Sequence, residues 1–201
     1  MMRGASPLRL VAIGLWVLVL LALVAIVWFR VIAPRFTEQV SDTLGQGKYE
    51  LVTTEGAPFT ADTLAEGPAA VFFGFTHCPD VCPTTLGDIA TWKEALGAEG
   101  DDLNVYFVTV DPERDTADVL GDYVSWSPGV IGVTGSPEEI EAATRAFRIY
   151  AQKVPLDDGG YTMDHSALVL LFDEDGHFFE PIGYQEGDER ALAKLRRLLA
   201  S

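Results

Sequence analysis

Residues 69–83 read Ala69-Ala-Val-Phe-Phe-Gly-Phe-Thr-His-Cys-Pro-Asp-Val-Cys-Pro83, and the fold turns on that stretch. Ala69–Thr76 is a continuous apolar run of strand length, as expected for a strand buried on both faces. Beyond the cysteines, Leu86, Ile89, Ala90 and Trp92 or Lys93 recur at helical intervals, which predicts a helix to about Gly97. The only two cysteines, Cys78 and Cys82, therefore fall at a strand-to-helix junction, where open α/β sheets place their sites. With Cys82 in the first helical turn, the i, i+4 spacing brings both sulfurs to nearly one face. Two soft thiolates side by side either close a disulfide or hold a soft metal such as Cu(I).

Working outward, Tyr49–Thr54 is a predicted strand, followed by a turn at Gly56-Ala-Pro58 and a short segment near Phe59–Leu64. Downstream, Leu103–Val110 is a strand, Thr116–Trp126 a helix and Val130–Thr134 a short strand. Ser136-Pro-Glu-Glu139 opens a helix with a capping box, and Ile140, Ala143, Phe147 and Tyr150 carry its pattern to about Lys153. A Gly/Asp-rich loop over Pro155–Asp164 is expected next. Two strands, Ser166–Phe172 and Phe178–Tyr184, meet at the hairpin signal Asp173-Glu-Asp-Gly176, and Asp188–Ala200 closes the chain as a helix. Alternating strands and helices give parallel crossovers, and the terminal hairpin adds antiparallel strands. The predicted class is α/β, a mixed central sheet flanked by helices on the plan of a thioredoxin-like fold.

The N-terminus adds a different signal. Leu10–Phe29 runs 20 residues without a charge, bracketed by Arg9 and Arg30. At about 1.5 Å per residue such a helix matches a bilayer core of roughly 30 Å. The run exceeds the apolar region of a cleaved signal peptide and no Ala-x-Ala follows it, so a single uncleaved transmembrane helix is expected. Arg3 and Arg9 before it nearly balance Arg30 and Arg35 after it, so the positive-inside count barely orients the span. The few residues ahead of it do not read as a mitochondrial presequence. This favours a bacterial inner membrane, with the soluble domain in the periplasm.

All 30 acids and ten of the 14 basic residues follow Arg35, so the net charge of −16 understates a domain that carries −20. Such a surface disfavours nucleic acid and anionic lipid as partners. The remaining length is ample for one core without a staple. A disulfide across so short a loop would add only about 2 kcal/mol, which argues that these cysteines are not there for stability.

Among the histidines, His177 sits in the hairpin turn, and His77 points away from its neighbour Cys78 if the strand continues. His165, just before the apolar strand, is the candidate third member of the site. A lone loop histidine is often structural, but two thiolates and an imidazole form a set suited to Cu(I) and able to hold Cu(II). Structural zinc would ask for a fourth protein ligand.

Three motifs in this order, GFTHCPDVCP, then Asp111-Pro-Glu-Arg-Asp115, then Tyr161-Thr-Met-Asp-His165-Ser, resemble the Sco (SenC) family of membrane-anchored copper proteins. The resemblance implies that Cys78, Cys82 and His165 bind one copper ion, as Cu(I) or Cu(II). It implies a metallochaperone whose copper is destined for the CuA centre of cytochrome c oxidase subunit II, with a copper donor chaperone and a thiol reductant as further partners. On this reading 1–9 is a short cytoplasmic N-terminus, 10–31 the transmembrane anchor, 32–48 a linker and 49–201 the copper-binding domain.

Asp80, Asp111, Asp115 and Asp164 are candidates for contacts around the ligands. Asp80 also reads as a solvated turn residue, and Asp111 and Asp115 as caps of the following helix. Release of copper would be eased by His165 standing on a mobile loop, and affinity should fall with acidity because both thiols must deprotonate. The alternatives are thiol–disulfide exchange, with Cys78 attacking and Cys82 resolving, a copper or redox sensor and, more distantly, a peroxidase. The three-residue gap and the lack of a proline before the strand at Ser166 count against exchange.

Overall fold

The computed structural model describes residues 7–32, 42–157 and 159–201. The chain divides into an N-terminal unit over 1–40 and a larger unit over 41–201. In the first, α1 (Pro7–Val27) runs into a π-helical turn over Trp28–Ile32. Its side chains from Ile13 to Arg30 are exposed, and this stretch is long and apolar enough to cross a membrane by length and composition.

The larger unit is built on seven strands: β1 (Leu51–Thr53), β2 (Pro58–Phe59), β3 (Ala69–Gly74), β4 (Asn104–Thr109), β5 (Val130–Thr134), β8 (Leu168–Phe172) and β9 (Phe178–Gly183). They form one sheet in the order β2-β1-β5-β4-β3-β8-β9. The β3, β4 and β5 strands are parallel, and every other pairing is antiparallel. Each residue of β3 is buried, because both faces of the sheet are covered. Phe73 meets Phe147 on one face at 5.1 Å between ring centroids. On the other, Phe72 meets Phe107 at 5.5 Å and Phe107 meets Tyr123 at 5.7 Å. The covering helices are α2 (Val81–Leu96), α3 (Ala117–Val124), α4 (Pro137–Ala146) and α5 (Asp188–Leu199). This is the thioredoxin-like α/β arrangement with its mixed sheet.

The sequence expectation departs from the structure in three places. Within 32–48, residues 33–41 lie outside the described residues, but 42–48 packs on the domain instead of forming a tether. Leu44 is buried, Gly45 donates its N–H to Ala146 O at 3.0 Å, and Tyr49 Oη donates to Gly45 O at 2.8 Å. Second, α4 begins where the capping box sets it, with Ser136 Oγ accepting from Glu139 N at 3.2 Å, but it ends at Ala146. Arg148 takes a positive φ of 53° and Ile149 N donates back to Thr144 O at 2.8 Å, a left-handed helix stop of the Schellman kind.

Third, the expected helix end and Gly/Asp-rich loop are a hairpin: β6 (Ala151–Pro155) pairs antiparallel with β7 (Tyr161–His165) in a two-stranded sheet of its own. His165 therefore stands at the end of a strand, opposite Ala151, and not on a mobile loop. The hairpin follows because the stop at Arg148 turns the chain back before Phe147 and Tyr150 can continue a helical face.

Candidate metal centre

β3 delivers the chain to the edge of the sheet at Gly74, and α2 departs seven residues later at Val81. The connecting turn is anchored from below. Asp115, fully buried, accepts from Thr76 N at 3.0 Å, Thr76 Oγ1 at 2.6 Å and Thr109 Oγ1 at 2.6 Å. The hydroxyls of β4 and of the cysteine turn thus share one carboxylate. Cys78 follows, partly exposed, and the backbone N–H of Cys82 donates to its sulfur at 3.4 Å. Cys82 is fully buried against Gly74 and Phe107.

The two thiols are unequal. The Cys78 thiol is lowered from 9.0 to about 5, chiefly by its hydrogen bond with the Cys82 side chain. The backbone N–H groups of Cys82 and Asp80 and the His165 ring help, against the opposing effect of burial. Cys82 is pushed strongly upward by the same hydrogen bond between the thiols and by burial. The pair therefore keeps one proton on Cys82 and presents a thiolate at Cys78, at the amino end of a helix.

His165 enters from β7. Its Nε2 lies 3.7 Å from Cys82 Sγ, while Nδ1 lies 3.0 Å from Ser166 O. A carbonyl only accepts, so Nδ1 donates to Ser166 O, and Nε2 is the ring nitrogen that faces the sulfurs. The edge of the Phe75 ring holds the imidazole plane, at 5.7 Å and 89°. The two Sγ atoms and the imidazole nitrogen all lie within 4.8 Å of one another, and among the described residues this is the one cluster of metal-binding type. Bonds of about 2.0–2.3 Å to one central ion need only a small contraction of that set.

The four aspartates expected around these three side chains take different positions. Asp80 is exposed just before α2, where its carboxylate accepts at long range from Thr84 Oγ1, 3.5 Å, and its backbone N–H faces the Cys78 sulfur. Asp164 is exposed on the hairpin opposite Gln152. Neither Asp111 nor Asp115 caps the next helix; Thr116 does, with its hydroxyl accepting from Val119 N at 3.4 Å. Asp111, 2% exposed, pairs with Arg114 Nε and accepts from Tyr161 Oη at 2.9 Å. The residues that single-sequence reading left without a role are Thr76, Phe75, Arg114 and Tyr161. Only Tyr161 carried a signal, since residues four apart on a strand share a face and His165 was already singled out.

A family model described as SCO1/SenC matches residues 37–200. An SCO2-like protein of Rickettsia prowazekii is 37% identical over 147 residues, which cover 70% of this chain and 72% of that one. The mitochondrial SCO2 homologue of Danio rerio is 36% identical over 157 residues, or 76% of this chain; the match spans 56% of that longer relative. Among solved structures, copper-bound ScoI of Bradyrhizobium japonicum superposes with a TM-score of 0.70 at 42% identity, covering 76% of this chain and 99% of that one. Copper-bound yeast Sco1 gives 0.70 at 30% identity, covering 78% and 90%. With the family model spanning most of its length and its cysteine turn, aspartate turn and histidine strand meeting in one place, this chain belongs to the SCO1/SenC family.

Proposed function

We propose that this protein is a membrane-anchored copper chaperone that holds one copper ion on Cys78, Cys82 and His165. The observation that carries the reading is the convergence of these three donor atoms, with the imidazole Nε2 directed at the sulfurs. Two thiolates and one nitrogen favour a soft monovalent ion and tolerate the divalent one. The copper carried by the Bradyrhizobium and yeast proteins supports the same cargo here. Cys78 meets the ion already deprotonated; Cys82 gives up the remaining proton on binding, so copper is held less tightly as pH falls.

The recipient is the CuA centre of cytochrome c oxidase subunit II, and the family resemblance is what supports that partner. A copper donor chaperone loads the site and a thiol reductant keeps it open. The span Ile13–Arg30 anchors the domain at a bacterial inner membrane, facing the periplasm. Metal analysis of the anaerobically purified protein tests the ligand set: one Cu(I) per chain for wild type, and a marked loss for His165→Ala with the disulfide still able to form. Protease access in spheroplasts tests the orientation, and a protected domain contradicts it.

One observation favours a second reading. A thiolate at the partly exposed cysteine and a proton on the buried one are what an attacking and a resolving thiol require. Reduction of the CuA-site cysteines before they receive metal would use that asymmetry. If His165→Ala left copper affinity intact while the protein reduced such a disulfide rapidly, exchange would replace delivery as the main activity.

A further inference from the structure

His165 closes the site from a hairpin that forms its own two-stranded sheet, so the central sheet's ladder does not run through it. Besides the Phe75 ring and the Ser166 carbonyl at the histidine itself, the contacts that tie this strand to the cysteine side converge on a residue four positions earlier. Tyr161 Oη donates to Asp111 Oδ1 at 2.9 Å, and Tyr161 O accepts from Arg114 Nη1 at 3.1 Å. Its ring has two cations against it, Arg114 Cζ at 3.9 Å from the centroid and Lys153 Nζ at 4.1 Å. Each cation is paired with an acid of one turn, Arg114 with Asp111 and Lys153 with Glu113 at 2.7 Å. That turn is the one that fixes the cysteines. Asp115 N donates to Asp111 O at 3.0 Å, and the Asp115 carboxylate holds Thr76, two residues before Cys78.

We propose that Tyr161 is the positioning residue for His165, pinning β7 to the 111–115 turn so that the imidazole is registered against the two sulfurs held by the same turn. The proposal rests on the copper-site reading and adds a residue that touches neither the ion nor its ligands. Tyr161, Met163 and His165 point to one face of β7, so fixing the first limits the swing of the last. Both chemical parts of tyrosine are used. The ring satisfies two cations, and the hydroxyl occupies the oxygen of a buried carboxylate whose other oxygen is taken by Arg114. Phenylalanine would keep the first part and lose the second.

The test uses the full chain in detergent, reduced, with copper affinity read by competition against a chromogenic Cu(I) chelator and nitrogen coupling read by EPR of the Cu(II) form. Tyr161→Ala should weaken copper binding about tenfold, as loss of an outer support of a ligand does, and should diminish the nitrogen coupling. Tyr161→Phe should act in the same direction by a smaller factor. In a His165→Ala background neither change should weaken binding further, and the rate of Cys78–Cys82 disulfide formation should be unaffected throughout. Equal losses in both backgrounds, or wild-type affinity for Tyr161→Ala beside a clear loss for His165→Ala, overturn the positioning role alone. Wild-type affinity for His165→Ala overturns the ligand reading and this role with it. Should Tyr161→Ala fail to fold, Tyr161→Phe decides: a loss seen only when His165 is present supports the role, and no loss overturns it.

Discussion

The two halves of the site are built to different standards of rigidity. The cysteines leave an interior strand of the sheet, between β4 and β8, where every residue of β3 is buried and a buried aspartate locks the following turn. The histidine comes from a hairpin whose first strand is largely exposed and which meets the 111–115 turn through side-chain contacts. Segments with few buried contacts open at lower free energy than core strands. Two side chains are thus preset and the third is adjustable, which suits the copper carrier proposed above.

The sharpest probe of the preset half is chemical. Alkylation of the reduced, metal-free protein should titrate near pH 5 at Cys78, where an ordinary thiol would titrate near 9.0, with Cys82 unreactive. A single label whose rate rises near pH 9 would break the comparison. Linkage gives the matching stability trend. The depressed Cys78 pKa stabilises the fold fully above 9.0 and is lost as pH falls through about 5, so stability climbs across that window. The raised Cys82 pKa acts oppositely and only above the ordinary thiol value, so the pair's own contribution is greatest near pH 9.

Asp115→Ala should cost about 3 kcal/mol or more in urea denaturation, since it strands Thr76 N–H and two hydroxyls in the interior. A loss below 1 kcal/mol would mean that the cysteine turn is not held as described. Gly74→Ala should cost about 1–3 kcal/mol, because the new methyl would sit 2.7 Å from Phe107 Cζ and 2.8 Å from Cys82 Sγ. Unchanged stability there would show a softer floor beneath Cys82. The smallest effect belongs to the other half: Lys153→Ala removes an exposed ion pair with Glu113 and a cation over the Tyr161 ring, and should lower stability by no more than about 1 kcal/mol. A large shift would show the hairpin to be as firmly built as the sheet.

Much of the rigid half was legible in the sequence, because local rules govern it. The run AAVFFGFT gives a strand buried on both faces, and the strand-to-helix junction places Cys78 and Cys82 together. The adjustable half was misread for one local reason. A helix stop in the left-handed region usually carries glycine, and here the position is Arg148, so the periodicity of Phe147 and Tyr150 continued unchallenged. The roles of Asp111 and Asp115 were hidden differently. Their partners Tyr161 and Thr76 lie 50 and 39 residues away, and no pattern of spacing reports a contact made by tertiary folding.

The sealing of Cys82 beneath Gly74 and Phe107 also decides what happens to the site under oxidative stress. Peroxide reaches Cys78 first, and its thiolate becomes a sulfenic acid. The neighbouring Cys82 thiol then condenses with it, forming the disulfide and releasing water before a second oxygen can add. Mass spectrometry of the peroxide-treated, metal-free protein should therefore find a loss of two hydrogens and no sulfinic acid. The packing that fixes Cys82 doubles as a fuse, diverting oxidation into a form that a reductant can reset.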